Sequence, residues 1–305
     1  MNIVMYHYVR TFDPSIPYFK YLDRANFISQ LNYFHSNGGL VGKAELDEFL
    51  EGNRQVKNKF LLTFDDGLKD HFDYVFPELE KMGAAGIFFI STLPLRKKLF
   101  LKVHKLHLIF GVNTGDQIVS WLREEDPECF EALINNQSHN PYGLHDSPNV
   151  ERAIKAFFNW SKFERSNSVI SEIFNAMVGS RIDVMDFYMN AAQISEVHRA
   201  GHKVAAHGDE HIILSNHCAE EQRREIMNSL DFLSDALGKR VTTYAIAHGL
   251  PQSYTDETLD ILANLGVTCN FNVRSEPVNR IVEENRFDLP RFNCNEFKFG
   301  GVSGN

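Results

Sequence analysis

Two short segments hold residue types that could do chemistry. The first is Thr63-Phe64-Asp65-Asp66-Gly67, at the end of the apolar run KFLLTFD (59–65). Adjacent carboxylates leaving a buried strand repel each other and lose hydration, a cost that a bound cation offsets. The same residues also suit a plain turn, because Asp-Gly is a common turn pair and Asp can cap the next helix. The second segment is His207-Gly208-Asp209-Glu210-His211, which follows the run HKVAAH (202–207). Two histidines four residues apart reach one ion when the segment is helical or tightly looped. With one carboxylate of the pair they make a three-ligand set for Zn²⁺ or a similar divalent ion. Positions stay open for water and substrate, as in catalytic rather than structural sites. The other carboxylate is then free to act as a base.

Other histidines have weaker claims. His198 and His202 repeat the spacing, but one lies in a helical pattern that stops before Gly201 and the other begins a strand. Both read as surface or packing residues. His104 and His107 share a helical face with no acid placed beside them and read as interfacial. His7, in MNIVMYHYVR, sits near the end of a β-branched and aromatic run. By itself it reads as a core histidine satisfied by one hydrogen bond.

Motifs at strand ends need strands to carry them. Apolar, β-rich runs recur at 2–8, 59–65, 85–91, 202–207, 241–247, 267–273 and 287–292. Several are nearly continuous, as in parallel strands buried on both faces. Helical patterns at 24–37, 70–82, 191–200, 219–237 and 255–265 lie between them, and glycines stop several of these. The alternation predicts an α/β fold, a distorted (β/α) barrel of about seven parallel strands. Such folds keep their sites at the C-terminal ends of the strands.

Residues 93–186 break the rhythm. They hold the helical patterns KKLFLKVHKLHLIFG, DQIVSWLRE, VERAIKAFFNWSKF and VISEIFNAMV, and the polar segment NNQSHNPYGLHDSPN (135–149). The expectation is a barrel formed by 1–92 and 187–305, with a mostly helical insertion at 93–186. That insertion could serve as a lid, a partner-binding element, an oligomer contact or added packing.

Composition narrows the partners. The 305 residues are 43% hydrophobic, enough for a substantial core, and carry a net charge of −9 with both signs interspersed. That argues against nucleic acid and anionic membrane surfaces. No 18-residue apolar run predicts a transmembrane helix. The four cysteines form no CxxC pair, and the N-terminus lacks the pattern of a signal peptide, so a cytoplasmic location is expected. The oligomeric state is left open.

TFDDG, followed by HxxxH downstream of QISEVHRAGHKVAAH, resembles the metal-dependent polysaccharide deacetylases of carbohydrate esterase family 4, the NodB-like domain. The resemblance covers roughly 1–92 and 187–295. It implies that Asp65 is the catalytic base and that Asp66, His207 and His211 hold one divalent ion, Zn²⁺ first, with Co²⁺ or Ni²⁺ as alternatives. One branch, similar to poly-N-acetylglucosamine deacetylases, has a permuted order and carries its general acid in a Tyr-His phrase on an N-terminal strand. Tyr6-His7 matches that phrase, which makes His7 the implied acid. Leu289-Pro290-Arg291 matches a late arginine that orients the base. The backbone N–H of His248, beside Gly249, is the implied oxyanion donor, and the His248 ring could itself touch metal or substrate.

The chain departs from the pattern twice. Gly208 stands where the family has a hydroxyl residue, so one loop-fixing hydrogen bond is expected to be missing. Tyr244-Ala-Ile-Ala-His248-Gly249 replaces a segment ending Pro-Tyr-Gly, which removes a stiffening proline and a sugar-contacting tyrosine. The implied activity is hydrolysis of the N-acetyl amide of an amino sugar, in a glycan, a lipid-linked glycan or a sugar-nucleotide precursor. Alternatives are a non-catalytic glycan-binding protein on the same fold, or a hydrolase of another N-acyl group such as formyl.

Overall fold

The computed structural model describes residues 1–136 and 149–303. Most of the polar segment 135–149 therefore lies outside the described residues. The chain divides into two compact units. One holds Met1–Thr11, Tyr21–Leu99 and Val184–Ser303, and the other holds Phe12–Lys20 and Phe100–Asp183.

The first unit contains nine strands: β1 (Asn2–Tyr6), β2 (Val9–Arg10), β3 (Leu22–Asp23), β4 (Phe60–Phe64), β5 (Gly86–Ile90), β6 (Lys203–Ala206), β7 (Thr243–Ala245), β8 (Cys269–Phe271) and β9 (Phe292–Asn293). Seven form one parallel sheet in the order β8-β7-β6-β5-β4-β1-β9, and β2 and β3 form a separate parallel pair. The segment leading into β9 touches both edges of the large sheet. Leu289 bridges to Phe271 of β8, while Phe292 pairs with Val4 of β1. The sheet therefore curls toward a barrel, as the strand and helix rhythm predicts. The strand expected over 287–292 is reduced to that bridge and a two-residue ladder, because Pro290 has no N–H to donate.

Side-chain alternation sorts the strands into two apolar layers. Val4, Phe64 and Phe88 join one cluster, and Ile3, Leu61, Ile87 and Phe89 join another with Phe271 and Leu289. Both sheet faces are thus covered, which is why the strand sequences are nearly continuous in apolar residues. Each such side chain, fully buried, contributes roughly 1.5–3 kcal/mol.

The helices fall close to their patterns. Arg24–Ser36 starts at Asp23, whose carboxylate accepts from Ala25 N, and Ala191–Arg199 starts at Asn190, which accepts from Gln193 N. Ala219–Leu237 ends at the left-handed Gly238, and Asp256–Asn264 follows. The segment 70–82 differs from its pattern. His71–Val75 forms a wide π turn, and only Phe76–Met82 is α-helical. Pro77 gives the physical reason: it cannot donate to the carbonyl four residues back and its ring crowds that carbonyl, which the wider turn relieves.

The second unit is helical: Lys102–Val112, Gly115–Glu125, Pro127–Ile134, Asn149–Trp160 and Ser166–Met177. The helix Pro127–Ile134 has no counterpart among the patterns read from sequence. Neither has the membership of residues 12–20, where Tyr18 N donates to Gly111 O and Phe19 packs so close that a Cβ on Gly111 would lie 3.0 Å from its ring. Among the described residues no helix is long and apolar enough to cross a membrane.

Candidate active site

Asp65 and Asp66 follow β4 and are both buried. In a regular strand, adjacent side chains point to opposite faces. Asp66 breaks that alternation with φ +77°, followed by Gly67 at φ +73°. Both carboxylates consequently reach a single atom. His207 Nε2, just past β6, lies 3.8 Å from Asp65 Oδ2 and 3.5 Å from Asp66 Oδ1. His211 Nε2 lies 3.3 Å from the same Asp66 oxygen.

His207 Nδ1 is 2.8 Å from Ala245 O. A carbonyl only accepts, so Nδ1 carries the hydrogen and Nε2 turns its lone pair toward the carboxylates. Burial pulls the His207 pKa down to about 4, which keeps the ring neutral. That is the state and tautomer a metal ligand needs. At His211 burial also works downward, but the hydrogen bond and charge of Asp66 outweigh it and raise the pKa above the ordinary value. The ligand atoms of Asp66, His207 and His211 all lie within 4.8 Å of one another. Ligands on a tetrahedral ion with ~2.1 Å bonds stand about 3.4 Å apart. The Asp66–His207 and Asp66–His211 distances of 3.5 and 3.3 Å match that spacing, so these residues fit a divalent ion.

Asp65 has a different neighbourhood. Arg291 Nη1 donates to Asp65 Oδ1 at 2.7 Å and to Thr63 Oγ1 at 3.2 Å, and its Nε donates to Asn272 O. The guanidinium is fully buried over the Phe89 ring. Burial pushes the Asp65 pKa up, but Arg291 first, then His207 and His7, hold it below the ordinary carboxylate value. His7, immediately after β1, places Nε2 4.0 Å from Asp65 Oδ2, with its side chain 41% exposed. It is therefore not a sealed core residue. Its carbonyl accepts from Nε2 of His71 at 2.6 Å, and burial pulls the His71 pKa down to about 4, so that ring is a neutral donor.

After β7, His248 and Gly249 both take left-handed φ, +62° and +61°. The His248 ring centroid lies 4.8 Å from that of His211, so the altered third motif stands beside the ligand cluster. A Cβ on Gly249 would lie 2.8 Å from Val273 Cγ2, which reserves the position for glycine. Six non-glycine residues among those described have positive φ, and three of them are Asp66, His211 and His248. Backbone strain thus concentrates at this cluster, as it does at functional sites.

The loop 207–211 is braced from two sides. Thr92 Oγ1 donates to Asp209 at 2.6 Å, and Arg96 pairs with the same carboxylate. Oε1 of Glu225 accepts from the amides of Glu210 and His211, at 2.8 and 2.9 Å. Burial pushes the Glu225 pKa up to about 7. Sequence reasoning missed Glu225, Thr63 and His71. A signal for Glu225 existed: it shares the buried stripe of its helix with Ile226, Leu230 and Leu233. Gly208 supplies no hydroxyl hydrogen bond, as expected, and the loop amides of 210 and 211 are held by the Glu225 carboxylate. The decoy His202 is a packing residue, accepting from Gly86 N and lying between the rings of Phe76 and Phe88. His104 and His107 belong to the second unit.

A family model described as polysaccharide deacetylase matches residues 157–270. The matched stretch holds His207, His211 and His248 but not Thr63–Gly67, and it begins within the helical stretch rather than after it. The deacetylase PplD of Streptococcus pyogenes, solved in complex with acetate, has a similar structure: TM-score 0.58 at 16% identity, covering 96% of this chain and 91% of that one. The de-N-acetylase from Aggregatibacter actinomycetemcomitans gives 0.54 at 14%, covering 95% and 93%. IcaB from Ammonifex degensii gives 0.52 at 18%, covering 93% of each chain. No curated protein sequence matches this chain. At such identities the likeness speaks for the fold. The α/β fold and the match over 157–270 agree with the resemblance carried by the motifs: the chain is an α/β protein similar to polysaccharide deacetylases.

Proposed function

We propose that this chain is a metal-dependent hydrolase that removes the N-acetyl group from an amino sugar of a glycan or glycan precursor. The observation that carries the reading is the meeting of two differently held carboxylates at one imidazole nitrogen. Asp65 is paired with Arg291, and Asp66 is shared by His207 and His211. The mixed nitrogen and oxygen donor set of Asp66, His207 and His211 suits Zn²⁺, with Co²⁺ or Ni²⁺ as alternatives. When bound, such an ion supplies Lewis acidity, lowering the pKa of a water and polarising the acyl carbonyl.

The chain's own residues supply the rest. Asp65, kept ionised by Arg291, takes the proton of the attacking water. The new C–O bond forms as that O–H bond breaks. The backbone N–H of His248 is the donor assigned to the developing oxyanion. His7 stands at the exposed edge beside Asp65 and gives a proton to the nitrogen as the C–N bond breaks, releasing acetate and a free amine. His71 pins the His7 carbonyl and so limits the imidazole's drift. The acetate held by the similar PplD structure is the product this reaction would release, which supports an acetyl rather than a formyl group. All four cysteines are free thiols, which suits the cytoplasmic location we assign. Cell fractionation tests that assignment.

The experiment is release of amine and acetate from N-acetylglucosamine oligomers and N-acetylated sugar nucleotides, by metal-loaded and by chelated protein. Release that needs metal is the expected result. A protein that binds metal and glycan without releasing amine would overturn the reading in favour of a glycan-binding role. Release from N-formyl sugars alone would move the acyl assignment.

A further inference from the structure

We infer that Glu225 is a positioning residue that does, from a neighbouring helix, what a loop hydroxyl at position 208 would otherwise do: it fixes the backbone that presents His211. The inference rests on the reading of Asp66, His207 and His211 as metal ligands. Its grounds are geometric. His211 holds a left-handed φ of +60°, a conformation that persists only when its surroundings over-determine it. The amides of Glu210 and His211 converge on one oxygen, Glu225 Oε1, at 2.8 and 2.9 Å. Without that acceptor the buried His211 amide would lose its hydrogen bond inside the protein, and the partly buried Glu210 amide would lose its protein partner. Glu225 is 6% exposed and sits on the 19-residue helix Ala219–Leu237, anchored in the core by Ile226, Leu230 and Leu233. The acceptor is therefore mounted on a rigid element rather than on the loop itself.

Gly208 is the other half of the device. A Cβ built there would lie 2.6 Å from Glu225 Oε1 and 3.3 Å from Tyr244 Oη, and the residue's φ is +80°. The carboxylate occupies the space a side chain at 208 would enter. A hydroxyl residue at 208 and this placement of Glu225 exclude each other, so Gly208 and Glu225 act as a matched pair. Asp209, next to Gly208 in the loop, is held by Thr92, Arg96 and Asn228, so Glu225 acts on the 210–211 end.

The test uses the full chain, stripped of metal and titrated with Zn²⁺ against a chromophoric chelator. Wild type must bind one ion. If it does not, the metal reading fails and not this inference. Loss of an outer-shell partner typically weakens metal binding about 10–100-fold, and that is the loss expected for Glu225→Ala. Glu225→Gln keeps an oxygen that can accept both amides and should stay within about 3-fold of wild type. Amide hydrogen exchange of the metal-free protein gives an independent readout: residues 210 and 211 should exchange faster in Glu225→Ala, while β4 and β5 amides hold. Gly208→Ser should weaken Zn²⁺ binding in the wild-type background and do less harm in the Glu225→Ala background, where the space is vacant. Wild-type affinity and exchange in Glu225→Ala would overturn the inference. So would a Gln variant as weak as the Ala variant, since the charge rather than the acceptor would then matter. Should Glu225→Ala not fold, wild-type affinity in Gly208→Ser would overturn it alone.

Discussion

Replacing Arg291 with Met probes what keeps Asp65 ionised. The guanidinium and carboxylate lie 2.7 Å apart, each 1% exposed. Methionine retains much of the packing over Phe89 but removes the donors to Asp65, Thr63 and the Asn272 carbonyl. Removing one partner of a buried pair typically costs about 3–5 kcal/mol. The lower end, about 3 kcal/mol, applies here because His207 and His7 remain beside the carboxylate. The pH dependence follows from the direction of the shift. In the wild type the folded Asp65 pKa is depressed, so its contribution is present above the unfolded value and lost as pH falls through the folded one. Without Arg291, burial dominates and the folded pKa rises above the unfolded one. The contribution becomes a penalty at neutral pH, relieved as pH falls through the raised value. Urea unfolding of metal-stripped protein should therefore show a gap of about 3 kcal/mol at neutral pH that narrows in mild acid. The acid limb of the rate profile should also move up, by about one pH unit for each 1.4 kcal/mol taken up as protonation. A gap equally wide at both pH values, with the acid limb unmoved, would refute the reasoning.

Three further outcomes are expected. Asp66→Ala and His211→Ala should each lose stoichiometric divalent-metal binding, and full binding measured in both by metal analysis would remove them as ligands. Asp65→Asn should keep the metal but lose ~10²–10⁴-fold in turnover, the usual weight of a general base, and a few-fold loss would remove it from that role. His7→Gln, at a partly exposed position, should change stability by no more than about 0.5 kcal/mol. It should keep the metal and lose amide turnover, with a smaller loss on an ester substrate. A lower melting temperature with normal turnover would return His7 to a packing role.

Six of the seven sheet strands were legible because burial on both faces leaves nearly continuous apolar runs such as KFLLTF and AGIFFI, whereas the run 287–292 keeps only a bridge and a two-residue ladder. The Asp65-Asp66 pair and the His207, His211 pair were legible as residue types out of place at the ends of such runs. Arg291 was legible only through a family resemblance, since nothing in Leu289-Pro290-Arg291 indicates a side chain fully buried against Asp65. Glu225 was masked by its acidic helix AEEQRRE, whose charges suggest a solvated face, although its spacing to Ile226, Leu230 and Leu233 points inward. Residues 12–20 pack with Gly111 through contacts almost a hundred positions apart, which no local pattern encodes. The π turn at His71 depends on how Pro77 is accommodated, a choice made by tertiary packing.

Adjacent carboxylates of identical chemistry can serve different roles only if their surroundings push them apart, and here the backbone does the separating. Asp65 still belongs to the strand register, so it faces Thr63's partner Arg291, a permanent cation that fixes the carboxylate's charge and orientation. Asp66, one residue later and turned by its left-handed φ, faces two imidazoles, His207 and His211. In the proposed reading, a fixed cation suits a base that stays ionised until it accepts a proton, and two imidazole nitrogens suit a carboxylate that shares an ion with them. His207 Nε2, within 4 Å of both carboxylates, ties the two roles to one point in space. The same logic explains why strain gathers at Asp66, His211 and His248. Each sits in a loop that follows a sheet strand and holds a left-handed φ, which a non-glycine residue keeps only where its surroundings support it. For His211 that support is Glu225, and it is the part of the site that the motif alone would not have led one to expect.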